Sequence, residues 1–390
     1  SFYEAAFRFA QKARIKAREN EYFTMALDAM ELELLLWQYL PVDVRRSFQS
    51  IIEERESVRN LMHLTDQMRF LDMEVIRLFQ EIGIGRNKEQ LNEYKEIYER
   101  SLELKKISRD LPIRAQIFFY NIGVFYFNVS GNAESSLNDL RKMIALTDSQ
   151  KVIRKERLSF YLSSLNNIIL LLLHMGQYAE AQQKIDQLKS IVCDSQNHKN
   201  TLFITRYNTQ FELYTITRDW EKMLALCSEL KLDLPEYETK LDNRYTGHIR
   251  FAAFRSCFYT GHFKEAQQWI NQVLQKTSGD PFKSELVTVA RIAELSLHET
   301  LGNYDYTETL LLSAKRFLNK TNSLYAFEKT MLDFFTKHLA NPDDKNHFAL
   351  LQKNLDEVGH DILQNRVFNY FNFKDWARAR ESGCLIKDLD

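Results

Sequence analysis

The sequence predicts an all-α protein, a right-handed α-solenoid of helical hairpins with about 43 residues per repeat. Glycine and proline are scarce, 11 and 5 in 390 residues, where average usage would supply roughly 27 and 20. Sheets need many turn residues, whereas long helices joined by short corners need few. A short motif also recurs at a nearly constant interval, the mark of a repeat architecture. The apolar fraction, 45%, is enough to build a core.

The motif reads GQYAEAQQKI at 176–185 and GHFKEAQQWI at 261–270, six identities in ten. GNYDYTETLL from Gly302 is a third copy. RDWEKMLALC from Arg218 keeps the aromatic, and GNAESSLNDL from Gly131 keeps the glycine. Each part has a physical task. Glycine accepts the left-handed conformation that ends a helix. An aromatic two residues on fills the corner, and a small residue three further on, Ala181 or Ala266, lets the two helices approach.

The anchors at 131, 176, 218, 261 and 302 are 45, 42, 43 and 41 residues apart. Extended both ways, the spacing starts second helices near 2, 43, 88, 133, 178, 220, 263, 304 and 345. First helices then fall at about 21–40, 57–83, 112–130, 157–175, 200–217, 245–260, 284–301 and 323–340. Residues 43–83 contain no breaker, so helix can run through that junction, and the GIG at 83–85 is a helix stop. A last helix near 360–381 is expected to close the stack, with 360–390 forming a C-terminal capping helix and tail. Its aromatics, Phe368, Tyr370, Phe371 and Phe373, cannot all face inward on one helix, so some are expected on the surface. The whole of 1–390 reads as one solenoid. The opening stretch 2–18 reads as a second helix without its partner, which implies native residues upstream of Ser1.

On these residues the chain resembles the tetratricopeptide repeat family. The resemblance is carried by Gly176/Tyr178/Ala181, Gly261/Phe263/Ala266 and Gly302/Tyr304. NIGVFY at 121–126 is similar to the family's first-helix signature, with Gly123 as its small contact residue. Pro235 stands where that family often has a proline after the second helix. The period of about 43 exceeds the family's usual 34. A weaker likeness is to uncharacterised bacterial tetratricopeptide-like proteins with a further N-terminal helical region. The resemblance implies a concave face, lined by first helices, that binds a protein or peptide.

Other function classes find little support. Charge is balanced, 52 basic against 53 acidic residues, so no global field favours nucleic acid or an anionic membrane. The basic clusters at 8–18 and 151–157 read as solvated helix faces. No nucleotide, nucleophile-elbow or metal-ligand pattern is present. The reading is therefore no enzyme, no cofactor and no metal. The longest aliphatic run, 168–173, is too short to span a bilayer. Cys193, Cys227, Cys257 and Cys384 form no close pair, which fits a reducing compartment and a cytoplasmic location.

Binding candidates come from the repeat register. Ten residues before three successive anchors stand Asn121, Asn166 and Asn208. Asparagine offers both donor and acceptor, so such a row could track an extended peptide backbone; equally, each could bridge adjacent hairpins. Asn128 shares a face with Asn121, and Asn167 with His174. Glu212 and Arg255 share an offset in adjacent units, which predicts an inter-helix ion pair, with Arg255 meeting a ligand carboxylate as the alternative. The expected function is a protein- or peptide-binding scaffold. Its rival is a peptide- or ligand-sensing receptor whose effector domain lies upstream.

Overall fold

The computed structural model describes residues 2–107, 111–241, 243–276, 285–344 and 346–389. Among them the chain is helical throughout, with no strand, as the composition predicts. It divides into two units. Unit 1 comprises 1–78, 91–128 and 132–161; unit 2 comprises 79–90, 129–131 and 162–390.

Unit 1 contains α1 (Phe2–Glu19), α2 (Phe23–Trp37), most of α3 (Phe48–Ile82), α4 (Lys88–Ile107), α5 (Ile113–Ser130), α6 (Ala133–Ser149) and α7 (Lys151–Glu156). One long helix, α3, does run through the expected junction, but it starts at Phe48 after a loop at 41–47, so the second helix expected near 43 is absent. The end of α3 is the predicted stop, with Gly83 at φ 68°. The cluster at 8–18 departs from a purely solvated face. Arg14 is 8% exposed and donates from Nε to the fully buried Glu33 at 2.7 Å. In the second basic cluster, Arg157 lies over the Phe118 ring, 4.5 Å from its centroid.

Unit 2 carries most of α8 (Leu158–His174), α9 (Tyr178–Lys189), α10 (Gln196–Ile216), α11 (Trp220–Glu238), α12 (Asn243–Tyr259), α13 (Phe263–Lys276), α14 (Glu285–Thr300), α15 (Tyr304–Lys320), α16 (Ala326–Ala340) and α17 (Asn346–His360). The second helices α9, α11, α13 and α15 begin at the residues the anchors predict; position 345 lies outside the described residues. Gly261 has φ 82°, and its corner closes by His262 N–H donating to Cys257 O at 2.8 Å, the six-residue bond of a Schellman end. Arg218 occupies the glycine place at φ 54°. Ala181 and Ala266 are both 0% exposed, as the corner requires. In the third copy Thr307 fills that position, also fully buried, with its hydroxyl returned to Asn303 O at 2.9 Å. Pro235 sits inside the last turn of α11 rather than beyond it.

The predicted last helix is not continuous. After α17 the chain turns, forms the four-residue α18 (Val367–Tyr370), breaks, and resumes as α19 (Phe373–Ser382). Phe371 at the break is extended, φ −150° and ψ 132°. Asn372 caps α19 by accepting from Asp375 N–H at 3.1 Å. The break resolves the aromatic conflict. Phe371 and Phe373 become fully buried, Phe368 and Tyr370 pack against the same core, and none of the four is exposed.

Candidate functional site

The asparagines have defined partners. Asn121, in unit 1, is 8% exposed and donates from Nδ2 to Asp72 Oδ1 on α3 at 2.6 Å. Asn166 and Asn208, in unit 2, bond to each other across α8 and α10, Nδ2 of Asn208 to Oδ1 of Asn166 at 2.9 Å. Asn167 Oδ1 accepts from Asn166 at 3.2 Å. Asn128 Oδ1 accepts from Ser136 Oγ at 2.8 Å, closing the α5–α6 hairpin. This is the bridging geometry. Asn121 faces the interior of unit 1, whereas the Asn166–Asn208 pair is half-buried.

His174, Glu212 and Arg255, by contrast, converge in unit 2 on a cavity of about 290 Å3. They come from the C-terminal parts of three successive first helices, α8, α10 and α12; Glu212 and Arg255 stand at the same offset from their anchors, and His174 stands one turn further along its helix. Glu212 is clamped from both sides. Its Oε2 accepts from Arg255 Nη2 at 2.9 Å, and its Oε1 lies 3.3 Å from His174 Nε2. The predicted ion pair is thus present.

Arg255 does more than pair. It is 6% exposed; Nη2 also donates to Thr215 Oγ1 at 3.0 Å. Nη1 donates to two successive backbone carbonyls, Asn369 at 3.1 Å and Tyr370 at 3.3 Å. Burial works to lower its pKa, but Glu212 and Tyr259 outweigh that and hold it above the ordinary value. The site therefore keeps a permanent cation on its floor. One helical turn on, the Tyr259 hydroxyl accepts from Asn372 N–H at 2.7 Å, and burial raises the phenol's pKa.

Trp220 and Phe368 supply aromatic wall, and Asn372 and Asp375 supply further polar groups. The sequence reading missed Tyr259, Trp220 and the 368–375 stretch. Tyr259 had a signal, since it lies four residues after Arg255 and so on the same helix face. The stretch 368–375 had none, because nothing in the repeat register brings it to α12. At about 290 Å3 the cavity stands at the small end of ligand sites. It suits one or two side chains of a partner.

Among the described residues no group of histidine, cysteine or acidic side chains could hold a metal, and no helix is long and apolar enough to cross a membrane.

No family model matches the chain, and no curated protein does. Among solved structures it is similar to one described as the "Crystal Structure of the Apo Form of RapI", at 12% identity over 97% of this chain and 99% of that one, with a TM-score of 0.44. So loose a likeness carries no functional conclusion.

Proposed function

We propose that this chain is a non-catalytic scaffold of tetratricopeptide-like hairpins that binds a peptide or a segment of a partner protein, and that the cavity of unit 2 is where it does so. The observation that carries this reading is the behaviour of Arg255 and Tyr259. These first-helix side chains already hold main-chain groups of another segment, at Asn369, Tyr370 and Asn372. Donors and acceptors aimed at a backbone, beside an aromatic wall, are the chemistry of peptide recognition. His174, exposed, and Trp220, half-buried, line the same cavity and are the residues offered to a partner side chain. The Asn166–Asn208 pair, half-buried on α8 and α10, lies outside the cavity lining.

Selection of peptides from a randomised displayed library with the full chain tests the reading. His174 is exposed, so His174→Ala leaves the core intact. Selected peptides are expected to bind at least about tenfold more weakly to H174A and to Trp220→Ala, a loss of about 1.4 kcal/mol. Peptides indifferent to both substitutions would place recognition elsewhere.

A further inference from the structure

The stretch between α17 and α19 is held largely by side chains. Within the helices of unit 2, ladders and corner bonds satisfy the main chain. Here side chains of neighbouring elements take over. Gln364 exchanges hydrogen bonds with Arg86, accepting from Nη2 at 2.8 Å and donating to the carbonyl at 2.9 Å. Arg366 donates to Ile84 O at 2.6 Å and to Val129 O. Beyond these two tethers, the carbonyls of Asn369 and Tyr370 accept from Arg255, and Asn372 N–H donates to Tyr259. Phe371, extended between them, lies among α12 rings, with centroids 5.9 Å from Phe254, 5.1 Å from Phe258 and 5.3 Å from Tyr259.

We propose that residues 368–372 are a ligand built into the chain. They form a strap on α12 that leaves its seat when a partner segment of the same chemistry takes its place. That chemistry is a helical turn ending in two successive carbonyls for Arg255, then an extended residue whose aromatic side chain fills the Phe254–Phe258–Tyr259 seat, and a following N–H for the Tyr259 hydroxyl. The proposal deepens the peptide-binding reading above, since Phe368, Asn369 and Asn372 also wall the cavity.

Two physical points support release. A segment bonded through a few side chains opens locally without unfolding the helices around it. A site that reads main-chain groups accepts any chain presenting the same groups. The strap is also tethered at both ends, by Arg366 on one side and by α19 on the other. Its Trp376 donates from Nε1 to Thr300 Oγ1 at 3.0 Å. The strap can therefore lift while the rest of unit 2 stays folded. Its tethering also sets the threshold a free peptide must exceed, because the built-in segment is always at high local concentration.

Hydrogen exchange of the full chain, read by mass spectrometry, tests this first in the wild type. Amides of 369–372 are expected to exchange at least about tenfold faster than those of α14 and α16. Tyr259→Phe removes the acceptor for Asn372 N–H and keeps the ring; it should speed the strap about tenfold more and leave α14 and α16 unchanged. A synthetic peptide of residues 364–373, QNRVFNYFNF, added in trans, should bind Phe371→Ala, which empties the seat and leaves Arg255 and Tyr259 in place, more tightly than it binds wild type. A scrambled peptide should bind neither. Strap amides that exchange only as slowly as α14 in the wild type would overturn the proposal, whether or not the variant folds. So would failure of the peptide to bind a folded F371A. Binding of library peptides sensitive to His174 and Trp220 would survive either result, which separates loss of the strap from loss of the peptide site.

Discussion

Asp72 on α3 of unit 1 and Glu299 on α14 of unit 2 are both buried carboxylates, and they are partnered in opposite ways. In unit 1, Asp72 is 6% exposed and its bonded partner is the neutral amide of Asn121. Burial pushes its pKa up to about 6, against the weaker pull of Asn121 and the nearby Arg157 charge. Asp139 on α6 behaves alike, pushed to about 6 by burial. In unit 2, Glu299 is 0% exposed and is gripped by Arg380 through Nε and Nη2, both at 2.9 Å, with His338 3.3 Å away. Burial there is matched by a guanidinium, and Arg380 is held above its ordinary pKa, Glu299 outweighing the lowering effect of burial. The difference teaches that a buried carboxylate must be read with its partner, a neutral amide in one unit and a guanidinium in the other.

The strongest way to break the comparison is Glu299→Gln. It leaves a guanidinium facing a neutral amide in a buried site, and the expected cost is about 3–5 kcal/mol, read by chemical denaturation. A loss below 1 kcal/mol would mean that water reaches Arg380 and that the pairing matters little.

Asp72→Asn probes the other side. The folded-state pKa of Asp72, about 6, lies above its ordinary 3.8, so the folded chain binds this proton more readily than the unfolded one. Ionisation therefore costs stability above pH 6, and that cost is relieved as pH falls from 6 towards 3.8. The 2.2-unit difference corresponds to about 3 kcal/mol at most. D72N keeps an acceptor for Asn121 and should melt higher than wild type at pH 7.5, with the gain shrinking by pH 5. A variant that melts lower at pH 7.5 would show that the charged form is the stable one.

The smallest effect separates the asparagines. Asn121→Ala removes the one bonded partner of a buried carboxylate and should cost about 1–3 kcal/mol, whereas Asn208→Ala breaks a half-buried amide pair worth about 1 kcal/mol. Equal losses in thermal melts would erase the distinction between the two units.

How much of this was legible in the sequence follows from which forces are local. Helix starts at 88, 133, 178, 220, 263 and 304 agree with the structure because a left-handed residue ends a helix wherever it stands. The Glu212–Arg255 pair could be read because their separation equals one repeat. The Asp72–Asn121 bond could not, since it joins α3 to α5 across 49 residues outside any shared register. Gly123 shows the middle case. Its role as a close-contact residue was readable, but its neighbour was not: a Cβ there would collide with Asp139 Oδ2. The break at Phe371 escaped because helical periodicity continues through it, and only the seat on α12 rewards the extended conformation.

Arg218 shows what averaging the repeats would lose. Glycine at that corner would relieve a left-handed backbone strain of about 1–2 kcal/mol. Yet this guanidinium reaches Leu389 O at 2.7 Å, fastening the end of the chain to the α10–α11 corner. A consensus redesign would restore the glycine, gain local stability and cut that fastening. The irregular corner is where this chain differs from an ideal array, and an engineer would do best to leave it alone.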